Sequence, residues 1–183
     1  GGFIGIGEPT ACEYQGRFFQ LADVRGVQKE IGLTASCDKS ALQKVDSHFI
    51  TADLQGPVNY GESMPMIYQA SDSLAVLDVQ NGSCTMAANE CGKGRAFYMA
   101  GMPYDLQNAR LLQRAICWVA HQEGEAANWA SDNVYTEVTA YPETGRFSVI
   151  NNSTEPQRGT VHAPDGKTYA FDLPGAGCVW MDI

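Results

Sequence analysis

The feature that most narrows the fold is the stretch from Leu74 to Val119, where strand-like and helix-like patterns alternate with turn chemistry between them. Leu74–Val79 is an apolar run of strand length that ends at Asn81-Gly82. Both central residues of a type I′ turn need positive φ, which Asn-Gly accepts, so this pair predicts a hairpin with a returning strand over Cys84–Asn89. Gly92-Lys93-Gly94 then turns into a third strand, Ala96–Ala100. Pro103 closes that strand, and Asp105 stands where a helix N-cap belongs. Leu106, Ala109, Leu112, Ile116 and Val119 recur every three or four residues, predicting one apolar face on a helix of about 16 residues. Arg110 and Arg114 fall off that stripe.

Signals upstream are shorter. The chain opens on Gly1-Gly2, without a methionine, and runs straight into Phe3–Ile6, an apolar strand broken by Gly7-Glu8-Pro9. That abrupt start reads as the inside of an α/β domain already begun. Gly16–Val24 carries Phe18, Phe19, Leu21 and Ala22 near helical spacing, and Gly26 is a natural stop. Ser47–Ala52 predicts a strand, and residues 55–65 a loop punctuated by Gly56-Pro57 and Gly61. After Gly124 the pattern changes to alternation through Val134–Val138, Phe147 with Val149, Tyr169–Leu173 and Val179–Ile183. Turn signals at 142–145, 151–156, 164–166 and 174–177 separate these runs, which predicts a small antiparallel β-sandwich. The expected organisation is an α/β domain over 1–124, a linker over 125–132 and a β-sandwich over 133–183.

Composition excludes some partners. The net charge of −9 sets the surface against nucleic acid and anionic membranes, which want a basic face. There is no apolar run of membrane-spanning length. Cys12, Cys37, Cys84, Cys91, Cys117 and Cys178 lack CxxC spacing, and His48, His121 and His162 are equally dispersed, so the paired ligands of structural zinc are missing. Such an irregular set reads as reduced thiols of a cytoplasmic protein. The sequons at Asn81, Asn151 and Asn152 matter only on a secreted chain.

The chemistry-bearing patterns are partial. Gly5-Ile-Gly7-Glu-Pro-Thr10 resembles a dinucleotide fingerprint, but Thr10 replaces the third glycine, Pro9 has no N–H for a pyrophosphate, and Glu8 would repel one. It reads as a tight strand-to-helix loop. Gly61-Glu-Ser63-Met-Pro65 departs from the nucleophile elbow at its last residue. Cys84 and Cys91 lie on or beside strands, with His121 at a helix end as the distant partner of a Cys–His dyad. Glu8, Asp23, Glu30, Asp53, Glu62, Asp72 and Asp78 are available for paired-carboxylate work, and sequence alone joins no two of them. The cluster Tyr14, Arg17, Phe18, Phe19 suits either a hydroxyl-rich ring or the core face of a helix.

A resemblance adds to these readings. Residues 1–27, GGFIGIGEPTACEYQGRFFQLADVRGV, resemble a block in the bacterial 1,3-β-galactosyl-N-acetylhexosamine phosphorylases, also called galacto-N-biose/lacto-N-biose I phosphorylases. Residues 92–118, GKGRAFYMAGMPYDLQNARLLQRAICW, fit the same family, and also the glutamine-amidotransferase-like domains of β-galactosidases. The segments 147–156 and 173–183 are similar to the β-rich C-terminal module of those enzymes. The resemblance implies a flavodoxin-like, class I amidotransferase-like α/β domain followed by the sandwich. It implies a C-terminal portion of an intracellular, oligomeric phosphorylase whose catalytic acid and phosphate-binding residues lie in an N-terminal barrel of the same polypeptide. Phosphate would attack a β-1,3-galactosyl-N-acetylhexosamine to give galactose 1-phosphate, with no metal or nucleotide cofactor. No residue here matches the family's catalytic acid, so no catalytic residue is assigned; Glu8, Tyr14 and Arg17 are expected as contacts at a neighbouring domain, subunit or substrate rim. Two other readings stay open: a carbohydrate-binding or oligomerisation module, and a hydrolase using Cys84 or Ser63.

Overall fold

The computed structural model describes residues 1–7, 19–29, 42–126 and 128–183. The chain divides into two compact units, Gly1–Gln122 and Glu123–Ile183.

The first unit is built on a four-stranded sheet of β1 (Gly2–Ile6), β4 (Leu74–Gln80), β5 (Ser83–Cys91) and β6 (Gly94–Met99), in the order β1-β6-β5-β4. A small second sheet pairs β2 (Val27–Lys29) with β3 (Ile67–Gln69). Asn81 and Gly82 take φ values of 52° and 73°, so the Asn-Gly turn forms and β4–β5 is a hairpin. Gly92, at φ 59°, starts the second turn, and β5–β6 is antiparallel as well. β1 runs parallel to its neighbour β6, and an isolated parallel bridge joins Lys44 to Val76 of β4.

This overturns the flavodoxin-like, amidotransferase-like expectation. A doubly wound sheet needs a crossover, usually helical, between successive parallel strands, whereas here two tight turns force the chain back on itself. The G-x-G turn before a strand and the helix after it are real, but a β-meander followed by one helix carries the same local signature. That helix, α2 (Leu106–Val119), follows the short turn α1 (Ala22–Arg25) in chain order. On one sheet face Leu111, Ala115, Trp118 and Val119 of α2 pack with Leu77, Met86, Ala88, Phe97 and Met99. Across the sheet, Phe19, Val27, Ile67, Val76, Cys84, Ala87 and Tyr98 form a second cluster.

Ser47–Ala52 is not a strand. Phe49–Thr51 is a 3₁₀ turn, capped by His48, whose Nδ1 accepts from the Ile50 N–H at 3.2 Å. Its apolar residues serve the helix: Ile50 is buried in the α2 cluster, and Arg114 donates its Nε–H to the Phe49 carbonyl at 2.7 Å. On the other face Arg25 is 1% exposed, its guanidinium 5.1 Å from the centroid of Phe3 and 4.9 Å from that of Phe19.

The second unit holds two three-stranded antiparallel sheets. One orders β11 (Thr168–Leu173), β10 (Gln157–His162) and β7 (Ala130–Ser131); the other orders β12 (Cys178–Asp182), β9 (Arg146–Asn151) and β8 (Thr136–Tyr141). Phe147, Val149, Val161, Phe171 and Leu173 form their shared core. The segment expected as a linker carries the second half of α3 (Glu123–Ala126) and all of β7, which pairs with β10. Asn151, the acceptor of one sequon, is 1% exposed, and its Nδ2 donates to the Glu155 and Pro174 carbonyls at 2.8 Å. That side chain ties two turns together and is closed to modification.

Candidate functional site

The parallel pair β1–β6 gives the first unit one edge where two strands end side by side, since Ile6 stands opposite Met99. Here the end is built into a ledge from residues 59–64 and 100–105. Met64 N–H donates to the Ala100 carbonyl at 3.2 Å. Gly101 allows the close approach, because a Cβ there would overlap the Tyr60 carbonyl oxygen. Gly61 sits at φ 58°, where a side chain would be strained and its Cβ would press on the Pro103 ring. Asn108 is 1% exposed on α2 and its Nδ2 donates to both the Asn59 carbonyl (2.8 Å) and the Pro103 carbonyl (2.9 Å). Asp105 accepts from the Asn108 N–H at 2.7 Å, so the helix cap and the ledge share one anchor.

A bulge sets the other anchor. Along β4, Leu74 and Val76 face one cluster while Ala75 and Leu77 face the other. Strict alternation would send Asp78 back with Val76, but the register shifts at Asp78 and turn it toward Tyr60. Tyr60 donates its hydroxyl to Asp78 Oδ2 at 2.8 Å, and Lys44 Nζ meets Asp78 Oδ1 at 3.1 Å. Burial, reinforced by the carboxylate, pushes the Tyr60 phenol far up, so it remains a protonated donor. Tyr104, 89% exposed, stands on this frame, with Glu62 and Ser63 exposed on the neighbouring loop. The arrangement presents contacts; it does not align a nucleophile with a base.

The residues singled out by sequence are placed unevenly. Glu8, Tyr14 and Arg17 lie outside the described residues, as does Phe18, while Phe19 is buried in the core. Ser63 sits on the ledge loop with no strand before it or helix after it. Cys84 is fully buried; burial pushes its thiol up to about 12, and its Sγ–H donates to the Met86 carbonyl at 3.6 Å. His121 is exposed just past α2. Asp53 and Asp78 answer cations instead of each other: Asp53 takes Arg110 at 2.6 Å and Arg114 at 3.3 Å. Tyr104 carries no sequence signal beyond a Pro-Tyr-Asp loop; only its exposure marks it. Among the described residues, no group of three or more His, Cys, Asp or Glu is placed to hold a metal ion.

Residues 1–124 match the family model of the lacto-N-biose phosphorylase central domain, and residues 129–181 that of the lacto-N-biose phosphorylase C-terminal domain. The chain belongs to the lacto-N-biose phosphorylase family. It is 42% identical, over its whole length, to a 1,3-β-galactosyl-N-acetylhexosamine phosphorylase of Lachnoclostridium phytofermentans and covers 25% of that protein. The phosphorylase of the same description from Bifidobacterium longum subsp. longum is 37% identical, again over the whole chain and 28% of the relative. A D-galactosyl-β-1,4-L-rhamnose phosphorylase of L. phytofermentans is 31% identical over 99% of the chain and 24% of its own length. The chain thus spans about a quarter of the length of these relatives. In fold it is similar to a cold-adapted β-galactosidase from Rahnella sp. R3, with a TM-score of 0.51 at 20% identity, covering the whole chain and 29% of that structure.

Proposed function

We propose that this phosphorylase-family chain is a non-catalytic part of a glycoside phosphorylase that cleaves β-1,3-galactosyl-N-acetylhexosamines with inorganic phosphate, yielding galactose 1-phosphate and the free N-acetylhexosamine. Its role in this reading is to support homo-oligomeric assembly and the rim of an active site carried by another domain of the same enzyme. The reading asks for no metal or nucleotide, and places the enzyme in the cytoplasm.

The observation that carries it is the end-to-end family match combined with a share of only a quarter of the relatives' length. The ledge supports it: a rigid frame presenting Tyr104, Glu62 and Ser63 suits contact with a neighbouring surface. The buried, protonated Cys84 argues against the hydrolase alternative, because a thiol attacks as thiolate.

The test is an assay of the purified chain with a β-1,3-galactosyl-N-acetylhexosamine disaccharide and phosphate. No galactose 1-phosphate above background is expected. Release that disappears in Cys84→Ala or Ser63→Ala would place catalysis in this chain and overturn the reading. Sedimentation velocity checks the assembly role, with a strictly monomeric chain at all concentrations counting against it.

A further inference from the structure

The outward face of the β8–β9–β12 sheet carries more aromatic surface than the second unit needs for folding. Phe147 and Val149 of the middle strand point inward, fully buried, and complete the core without it. On the opposite face the register places Thr139, Ser148 and Trp180 in one row and Tyr141, Arg146 and Asp182 in the next. Tyr141 is 45% exposed and Trp180 54%, although their rings lie together, centroids 5.5 Å apart and planes 32° from parallel. Beside them Arg146 Nε meets Asp182 Oδ1 at 3.0 Å, both side chains still largely in solvent.

We propose that this face binds a pyranoside, with the rings of Tyr141 and Trp180 against its C–H face and Arg146 and Asp182 hydrogen-bonded to its ring hydroxyls. The chemistry is matched on both sides. Aromatic faces are apolar and electron-rich, and suit polarised C–H groups. The flanking pair offers guanidinium donors and carboxylate acceptors with no net charge, which fits a neutral polyol better than an anion. Size decides against a second copy of the chain. Three strands about 4.8 Å apart, each rising about 3.3 Å per residue, give a face of roughly 10 by 17 Å. That is a small fraction of the ~800 Å² per partner buried in a stable protein interface, and is the footprint of one or two sugar rings.

The choice of galactosides as probes rests on the function proposed above; the face itself does not. The experiment is an NMR titration of the 183-residue chain, following the tryptophan indole N–H signals, with methyl β-D-galactopyranoside and methyl β-D-glucopyranoside in parallel. Saturable movement of the Trp180 signal is expected with a Kd on the order of 1 to 10 mM, leaving Trp129 and Trp118 unmoved. Trp180→Ala and Tyr141→Ala should each weaken binding at least about tenfold, the latter read on Trp180. Asp182→Asn, which removes the carboxylate and leaves the rings, should weaken it less; it keeps the test readable if the aromatic variants fold poorly. Binding of the glucoside alone would uphold the face and remove only the galactoside assignment. Absence of saturable movement by about 100 mM with either sugar would overturn the proposal. So would a monomer–dimer equilibrium that Trp180→Ala abolishes, since the face would then belong to a second copy. Phosphorolysis reads the earlier proposal independently, so either can fail alone.

Discussion

At Asp78 one irregularity in a strand decides what a side chain touches. The bulge brings a carboxylate to Tyr60 and Lys44, where simple alternation would have put it in the opposite core. Alternation is legible in the sequence; the bulge is not, because it depends on how β5 pairs. Gly101→Ala sets a methyl against the Tyr60 carbonyl, backbone with little freedom to retreat, and should lower stability by about 1–3 kcal/mol in urea unfolding. Cys84 should resist iodoacetamide in the native chain while exposed Cys91 and Cys178 are alkylated, as peptide mass mapping would show. His48 has its pKa lowered from 6.5, first by burial and then by the Arg95 guanidinium, with Glu90 opposing. The unfolded chain therefore takes up that proton first. The stability His48 contributes is fully present above pH 6.5 and is lost as pH falls below it through the folded-state value. Between about pH 7.5 and about pH 5.5 the wild-type unfolding midpoint should fall further than that of His48→Gln.

Among the elements, α2 organises the most. Its sequence declares a helix and its Asp105 cap, and both are there, but the buried face is turned from the expected stripe. Asn108, Leu111, Ala115, Trp118 and Val119 face the core, while Ala109 and Ile116 are exposed, because the tertiary contact, not the spacing alone, selects the face. What the sequence leaves blank is the use of its polar side. Arg110 and Arg114, which look like solvated positions, close on Asp53, while Gln107 accepts from the Gln55 N–H and donates to the Pro57 carbonyl, pinning 49–57 along the helix. That is why Ser47–Ala52 curls into a 3₁₀ turn despite its strand-like composition: its carbonyls and apolar groups are met by the helix rather than by a neighbouring strand. Asp105→Ala should cost about 1 kcal/mol of stability in urea unfolding, since it removes the cap from a helix that also anchors the ledge. β10 is hidden for a different reason. Gln157–His162 is mostly polar and interrupted by Gly159, whose missing Cβ makes room for the Phe171 ring, so the strand shows no clean alternation.

For the molecule as a whole, each unit has its own core, and the prediction follows from that. Phe147→Ala removes a fully buried ring from the second unit at a cost of about 3–5 kcal/mol. Hydrogen exchange should show protection lost across β8–β12 while β4–β6 keep theirs; equal loss in both units would contradict this. The local grammar was legible in the residues: the Asn81-Gly82 hairpin, the turn at Gly92, the capped helix after Asp105, the alternating strands after Gly124, and the family to which these segments belong. Each of those depends on neighbours a few residues away, through backbone preference and side-chain periodicity. It took the tertiary structure to lay β1 parallel to β6, to turn Asp78 toward Tyr60, and to bring Tyr141 and Trp180 together on an open face. Those depend on which strands pair and in what register, and pairing is set by the burial of whole faces, for which no single segment carries the information.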